Sequence, residues 1–261
     1  MNSLPIINPV LSPLVEPTSL PLYPAAQVTN WGPTVVVAPH PDDESIGCGG
    51  AIALLRQRDI PVRVLFVSDG TGSHPTSRSH PPDVLRALRE AEALAALALL
   101  GVRAEQTTFL REPDRFVPRD GSPGFDAAVG RVVEVLRGWI GSVAATILVP
   151  WRRDPHCDHR ASWELIQAAV AATGLNVTVV EYPVWVSELG APEDFPPAEE
   201  MHAWRLDIST VIAIKRAAIT THRSQTTDLI DDDPGGFRLT PRLLTRFTVP
   251  WEIFIEPIDR R

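Results

Sequence analysis

The sequence predicts a single-domain α/β fold of Rossmann-like form, a mainly parallel sheet with helices on both faces. Three observations predict it. Short β-branched runs alternate with stretches rich in Ala, Leu, Arg and Glu, and that order implies right-handed crossovers between parallel strands. At 261 residues, 44% of them hydrophobic, a chain buries roughly 70–75% of its unfolded surface and needs no staples. Finally, two clusters of imidazole and carboxylate each follow the end of a candidate strand, where open α/β sheets bind ligands.

Residues 1–30 carry prolines at 5, 9, 13, 17, 21 and 24. That spacing prevents helix and disfavours a central strand. They read as an extended arm, either packed across the domain or disordered, ahead of a domain over 31–261. Thr34–Ala38 is a continuous apolar run suited to a strand buried on both faces. Ala51–Arg58 reads as a helix, Val62–Val67 as a strand, and Asp69-Gly70-Thr71-Gly72 as its closing turn. Pro82–Leu100 is rich in strong helix formers, with Gly101 placed to cap it. Strands are expected at Gln106–Leu110, Thr146–Pro150 and Val177–Val186, and helices at Phe125–Ile140 and Arg160–Ala172. Pro192, Pro196 and Pro197 mark a long loop. SHPTSRSH at 73–80 reads as a polar surface loop, with a lid as the alternative, and Asp231-Asp232-Asp233 as a solvated acidic turn.

A net charge of −8 argues against nucleic acid. No run approaches the roughly 18 apolar residues of a membrane span, and no basic region followed by an apolar stretch marks a signal peptide. Cys48 and Cys157 are too few for a disulfide framework and suit a reducing cytoplasm. The composition leaves room for a homo-oligomer.

The chemistry lies in two stretches. His40-Pro41-Asp42-Asp43-Glu44 follows the first strand; His156-Cys157-Asp158-His159 follows Val149-Pro150-Trp151, about 115 residues later. Packed carboxylates repel and lose hydration, so a cation is expected among them. Two His and one carboxylate around an open position is a catalytic zinc arrangement. Taken alone, HPDDE could equally be a turn leading into a helix, whose dipole favours acidic residues. The glycines at 47, 49 and 50 allow close backbone approach, but their G-x-G-G spacing misses the dinucleotide fingerprint.

PHPDDE with PHCDH resembles the zinc-dependent deacetylase family called LmbE-like or PIG-L-like. SDGTG at 68–72, Arg89 with Glu92, Leu100-Gly101, and HRSQ at 222–225 extend the resemblance from about Thr34 to Pro257. It implies an α/β hydrolase that removes the N-acetyl group of an N-acetylglucosamine-type amino sugar conjugate, a small-molecule partner. The implied cofactor is Zn²⁺, with another divalent metal as the alternative. The implied ligands are His40, Asp43 and His159; Asp42 is the implied general base and His156 the imidazole facing the oxyanion, protonated in this reading. Asp158 fits a carboxylate orienting His156, and Cys157 stands where the family commonly has proline. Arg89 matches a substrate-contacting position. Asp69, past the second strand, is a candidate for sugar hydroxyls or a turn stabiliser; Trp151 and Trp185 could stack on a sugar or fill the core. Rival readings are hydrolysis of another small amide, a nucleotide-binding α/β protein using the glycines, and a metal-holding scaffold without catalysis.

Overall fold

A computed structural model describes Leu14 and residues 16–195 and 200–257. The prolines at 5, 9, 13, 196 and 197 lie outside the described residues. The strands are β1 (Leu22–Tyr23), β2 (Thr34–Ala38), β3 (Val62–Ser68), β4 (Thr107–Glu112), β5 (Ala145–Pro150), β6 (Val177–Tyr182), β7 (Met201–Asp207) and β8 (Trp251–Pro257). The helices are α1 (Asp43–Arg56), α2 (Pro82–Leu99), α3 (Phe125–Ile140), α4 (Cys157–Thr173), α5 (Val186–Leu189), α6 (Ile212–Thr221), α7 (Arg223–Thr226) and α8 (Pro241–Phe247).

The strands form one sheet in the order β1-β7-β8-β6-β5-β2-β3-β4. Only β8 among the described strands runs against its neighbours. The mainly parallel α/β sheet expected from the alternation is present. Alternate side chains of β2 serve opposite cores: Val35 and Val37 pack towards α3 and α4, Val36 and Ala38 towards α1, α2 and α6. Val36 and Val37 are fully buried, each worth about 1.5–3 kcal/mol in transfer from water. β2 pairs with β3 on one side and β5 on the other, so the strand order reverses there. The crevice beyond the carboxyl ends of β2 and β5 is the switch point where such sheets bind ligands.

The first helix starts at Asp43, eight residues earlier than Ala51. Three glycines argue against a helix there at roughly 1 kcal/mol each, but tertiary contacts require them. A Cβ at Gly47 would sit 2.5 Å from the Tyr182 ring, and one at Gly50 2.6 Å from Ile208. The faces a nucleotide would need are filled, so the glycine-loop reading does not hold.

A buried ion pair packs against the same helix. Gly50 N–H and Ala51 N–H donate to Glu252 at 2.7 and 2.8 Å, while Lys215 Nζ donates to the Ile46 carbonyl at 2.8 Å and to Glu252 at 2.6 Å. These contacts tie the middle of α1 to β8 and α6.

The described part of the proline-rich segment is packed. Leu20, Val28 and Trp31 are buried, β1 pairs in parallel with β7, and Arg205 donates to the Leu20 and Thr18 carbonyls. In the acidic turn at 231–233, Asp231 and Asp232 are exposed as expected and Asp233 is buried, but the turn also binds: Asp232 accepts from Ser77 Oγ, Ser79 Oγ and the Arg78 and Ser79 N–H groups, and Asp233 from Thr76 N–H. These bonds pin the 73–80 loop to the domain.

Candidate active site

β2 delivers His40 and, through the first turn of α1, Asp42 and Asp43; the loop after β5 delivers Asp154, His156 and, on α4, Asp158 and His159. Two stretches far apart in sequence thus meet. Asp43 Oδ2 lies 3.2 Å from His40 Nδ1 and 3.2 Å from His159 Nε2. Ligands 2.0–2.1 Å from a tetrahedral zinc stand about 3.3 Å apart, so these separations suit three corners around one cation. His159 is fully buried and neither ring nitrogen makes an aligned hydrogen bond, although carboxylate oxygens lie 3.2 and 3.3 Å away. A buried, unsatisfied imidazole beside a carboxylate fits a metal ligand. His40, His156 and His159 also offer ring nitrogens within 4.8 Å of one another.

Asp154 stands behind His159, its Oδ1 3.3 Å from Nδ1. Its carboxylate also accepts the N–H groups of His156, Val184 and Trp185. A carboxylate backing a ligand histidine fixes ring orientation and raises basicity. The sequence reading missed Asp154; its one trace was an acid five residues before His159.

Asp42 sits at φ 152°, ψ −26°, outside the regions open to residues with a Cβ and at a cost of order 1–3 kcal/mol. Its N–H donates to Glu44 at 3.0 Å, and Arg89 Nη2 lies 3.2 Å from its carboxylate. Burial, reinforced by the charge of Asp43 and opposed by Arg89, pushes its carboxyl up to about 6. Glu44 holds this turn: it accepts from Ser45 Oγ at 2.6 Å and pairs with His222 Nε2 at 2.9 Å.

Arg89 is buried. Its Nη1 and Nη2 donate to the Gly70 and Pro41 carbonyls at 2.8 and 2.7 Å, so although it borders the cavity its bonds tie two loops together and orient Asp42. Asp69 does not line the cavity. Its Oδ1 accepts from Thr71 N–H, Thr71 Oγ1 and Asp114 N–H, the turn-stabilising alternative. A third carboxylate facing the cavity, beside those of Asp42 and Asp43, is Asp114, which sequence reading missed: it accepts from Gly72 N–H at 2.8 Å and lies 3.3 Å from His40 Nε2. Gln225 of HRSQ also lines the cavity, while Ser224 of that motif binds Glu92.

His156 caps α4, its Nδ1 accepting Asp158 N–H at 3.2 Å. A neutral ring with an accepting Nδ1 carries its proton on Nε2. Burial, with the positive charges of His40 and His159, pushes the ring down to about 4. With His40 and His159 protonated and no ion bound, His156 is thus a neutral donor, in contrast to the protonated ring expected from sequence. The Asp158 carboxylate does not orient it; it turns to His40 Nε2 at 3.1 Å and accepts Arg115 N–H at 2.7 Å. Residues two apart in a helical turn do not face each other. Cys157 Sγ contacts the Arg115 carbonyl and Asp158 Oδ1 at 3.7 Å. Trp151 is core, fully buried with Nε1 donating to Asp194; Trp185 lines the cavity.

The family described as PIG-L, GlcNAc-PI de-N-acetylase, matches residues 35–170. The chain belongs to the PIG-L family. A probable N-acetyl-alpha-D-glucosaminyl L-malate deacetylase of Bacillus anthracis is 24% identical to this PIG-L member over 197 residues, covering 73% of this chain and 80% of that one. The N,N'-diacetylchitobiose deacetylase of Pyrococcus horikoshii shares the fold at TM-score 0.64 and 23% identity, over 89% of this chain and 86% of that one. So does GalB, the 4-carboxy-2-hydroxymuconate hydratase of Pseudomonas putida KT2440, at TM-score 0.63 and 19% identity, over 88% and 97%. The fold thus carries more than one chemistry, and function has to be argued from the site.

Without metal, the site's protons set a pH dependence. Burial alone would lower His159, but Asp43 and Asp154 outweigh it and push the ring up to about 9 from 6.5; hydrogen bonds to Asp114, Asp158 and Asp43 likewise raise His40 against burial. A raised folded pKa contributes stability fully below the unfolded value, and that stability is lost as pH rises through the folded one. Chelated protein is therefore expected to unfold more easily in denaturant at pH 9 than at pH 6.5. Asp42 and His156 titrate below this window. Metal-loaded protein should show a smaller fall, because ligation strengthens as the histidines deprotonate. Equal unfolding midpoints for the chelated protein at both pH values would contradict the assignment.

Proposed function

We propose that this PIG-L family member is a zinc-dependent hydrolase that removes the N-acetyl group from an N-acetylglucosamine-type amino sugar conjugate. The observation that carries the proposal is Asp43 Oδ2 lying 3.2 Å from both His40 Nδ1 and His159 Nε2, with Asp42 beside them. His40, Asp43 and His159 would hold the ion. When bound, it lowers the pKa of water and polarises the acetamide carbonyl.

The chain's own groups do the rest. Asp42, held by Arg89 and by its bond to Glu44, takes the proton of the attacking water and later returns it to the departing amine. His156 donates from Nε2–H to the developing oxyanion, with its tautomer fixed by Asp158 N–H. A neutral donor suits that task, since it need not be protonated at pH 7. Asp114 and Gln225 offer hydrogen bonds to sugar hydroxyls on the cavity wall.

Purified protein is expected to release amine from N-acetylglucosamine conjugates, to stop on chelation and to resume on zinc addition. His159→Ala should weaken metal binding, in chelator competition, by more than the roughly 10- to 100-fold that losing an outer partner costs. Metal-free protein with full turnover would end the proposal.

A further inference from the structure

The cavity over the site has a volume of about 220 Å³ and walls of two kinds. His40, Asp42, Asp43, Asp114 and His156 make a polar floor at the strand ends. Trp185, Leu189 and Phe237, from the segments after β6 and α7, make an apolar side. Trp185 and Phe237 meet edge to face at 5.6 Å, with Phe247 on the far side of Trp185 at 5.8 Å. Leu189 is 66% exposed, so the apolar surface runs out of the cavity onto its lip.

The apolar side is held rigidly by contacts the hydrolysis does not need. Glu188, between Trp185 and Leu189, pairs with Arg242 and Arg246. Phe237 N–H donates to the Ser73 carbonyl at 2.7 Å, beside the loop pinned by Asp232 and Asp233. Exposed apolar surface continuous with a polar cleft marks a ligand groove. A surface already ordered loses little entropy when it binds.

We propose that Trp185, Leu189 and Phe237 form the subsite for the group attached to the amino sugar, and that this group is an apolar aryl or alkyl chain. The inference rests on the deacetylase reading above. The cavity is smaller than the roughly 300–1,000 Å³ that enclose a drug-sized ligand, so whatever extends beyond one sugar ring lies at the mouth against Leu189. Arg115, an exposed residue of the cavity lining, is the group an anionic substituent would seek instead.

The test compares octyl and carboxymethyl N-acetyl-β-glucosaminides as substrates, and the matching glucosaminides as ligands in titration calorimetry. The octyl compounds should lead by about 10-fold or more in kcat/KM and in affinity, as apolar groups in such pockets do. Leu189→Asp, a change at an exposed position, should erase the lead. Equal preference, or a carboxymethyl lead that Arg115→Ala removes, overturns the subsite and leaves the deacetylase reading standing. If no conjugate releases amine but octyl glucosaminide keeps its Leu189-dependent lead in binding, the subsite stands and the deacetylase reading falls.

Discussion

Asp42→Asn is expected to lower kcat by about 100- to 10,000-fold, the range a positioned general base contributes, while metal content stays at that of the unchanged protein. The two expectations belong together. Asparagine keeps the shape that packs against Arg89 and keeps the N–H that donates to Glu44, so the turn and the ligands at 40 and 43 remain in place. It removes the carboxylate's basicity, and with it the proton acceptor, together with the charge facing Arg89. Asp42 also carries a strained backbone, and asparagine tolerates positive φ about as well as aspartate does. Elemental analysis beside steady-state kinetics decides the matter. Undiminished turnover, or metal lost in step with activity, would remove Asp42 as the base.

The convergence of the two motifs was legible because parallel-sheet logic sends both strand ends to one crevice. Adjacent carboxylates at 42 and 43 could be assigned to base and ligand only through the family resemblance; what supports the proposed division is that the first turn of α1 places Asp43 beside two imidazoles and Asp42 against Arg89. The supporting carboxylates were not legible. Asp114 and Asp154 act through contacts that depend on how the loops after β4 and β5 fold, and nothing in their local sequence separates them from turn residues. Asp69 was singled out only because it follows a strand end. Asp158 was misread because neighbours in sequence were taken as neighbours in space, whereas a helical turn sends its carboxylate away from His156. HRSQ had meaning only as a pattern until the fold showed His222 bracing Glu44 and Ser224 bracing Glu92.

The three glycines show the same limit from the energetic side. Local propensity put the start of α1 at Ala51, yet the glycines lie inside the helix because Tyr182, Lys215 and Ile208 press on it. This leads to the largest expected effect on stability. Lys215→Met should destabilise the fold by about 3–5 kcal/mol, the cost of leaving one member of a buried ion pair alone. Both partners are almost fully buried, and Lys215 also donates to the Ile46 carbonyl. Glu252 would keep its bonds from Gly50 and Ala51 but would lose its counter-charge. Replacing Glu252 as well, in a Lys215→Met/Glu252→Gln double variant, should recover part of the loss, because the buried charge is gone and an amide oxygen still accepts one of the two N–H groups. Denaturant unfolding of the three variants measures this directly. A single-variant loss below about 1 kcal/mol would place the pair in the range of surface ion pairs. It would also mean that the place of α1 against β8 and α6 is held by the glycine contacts alone.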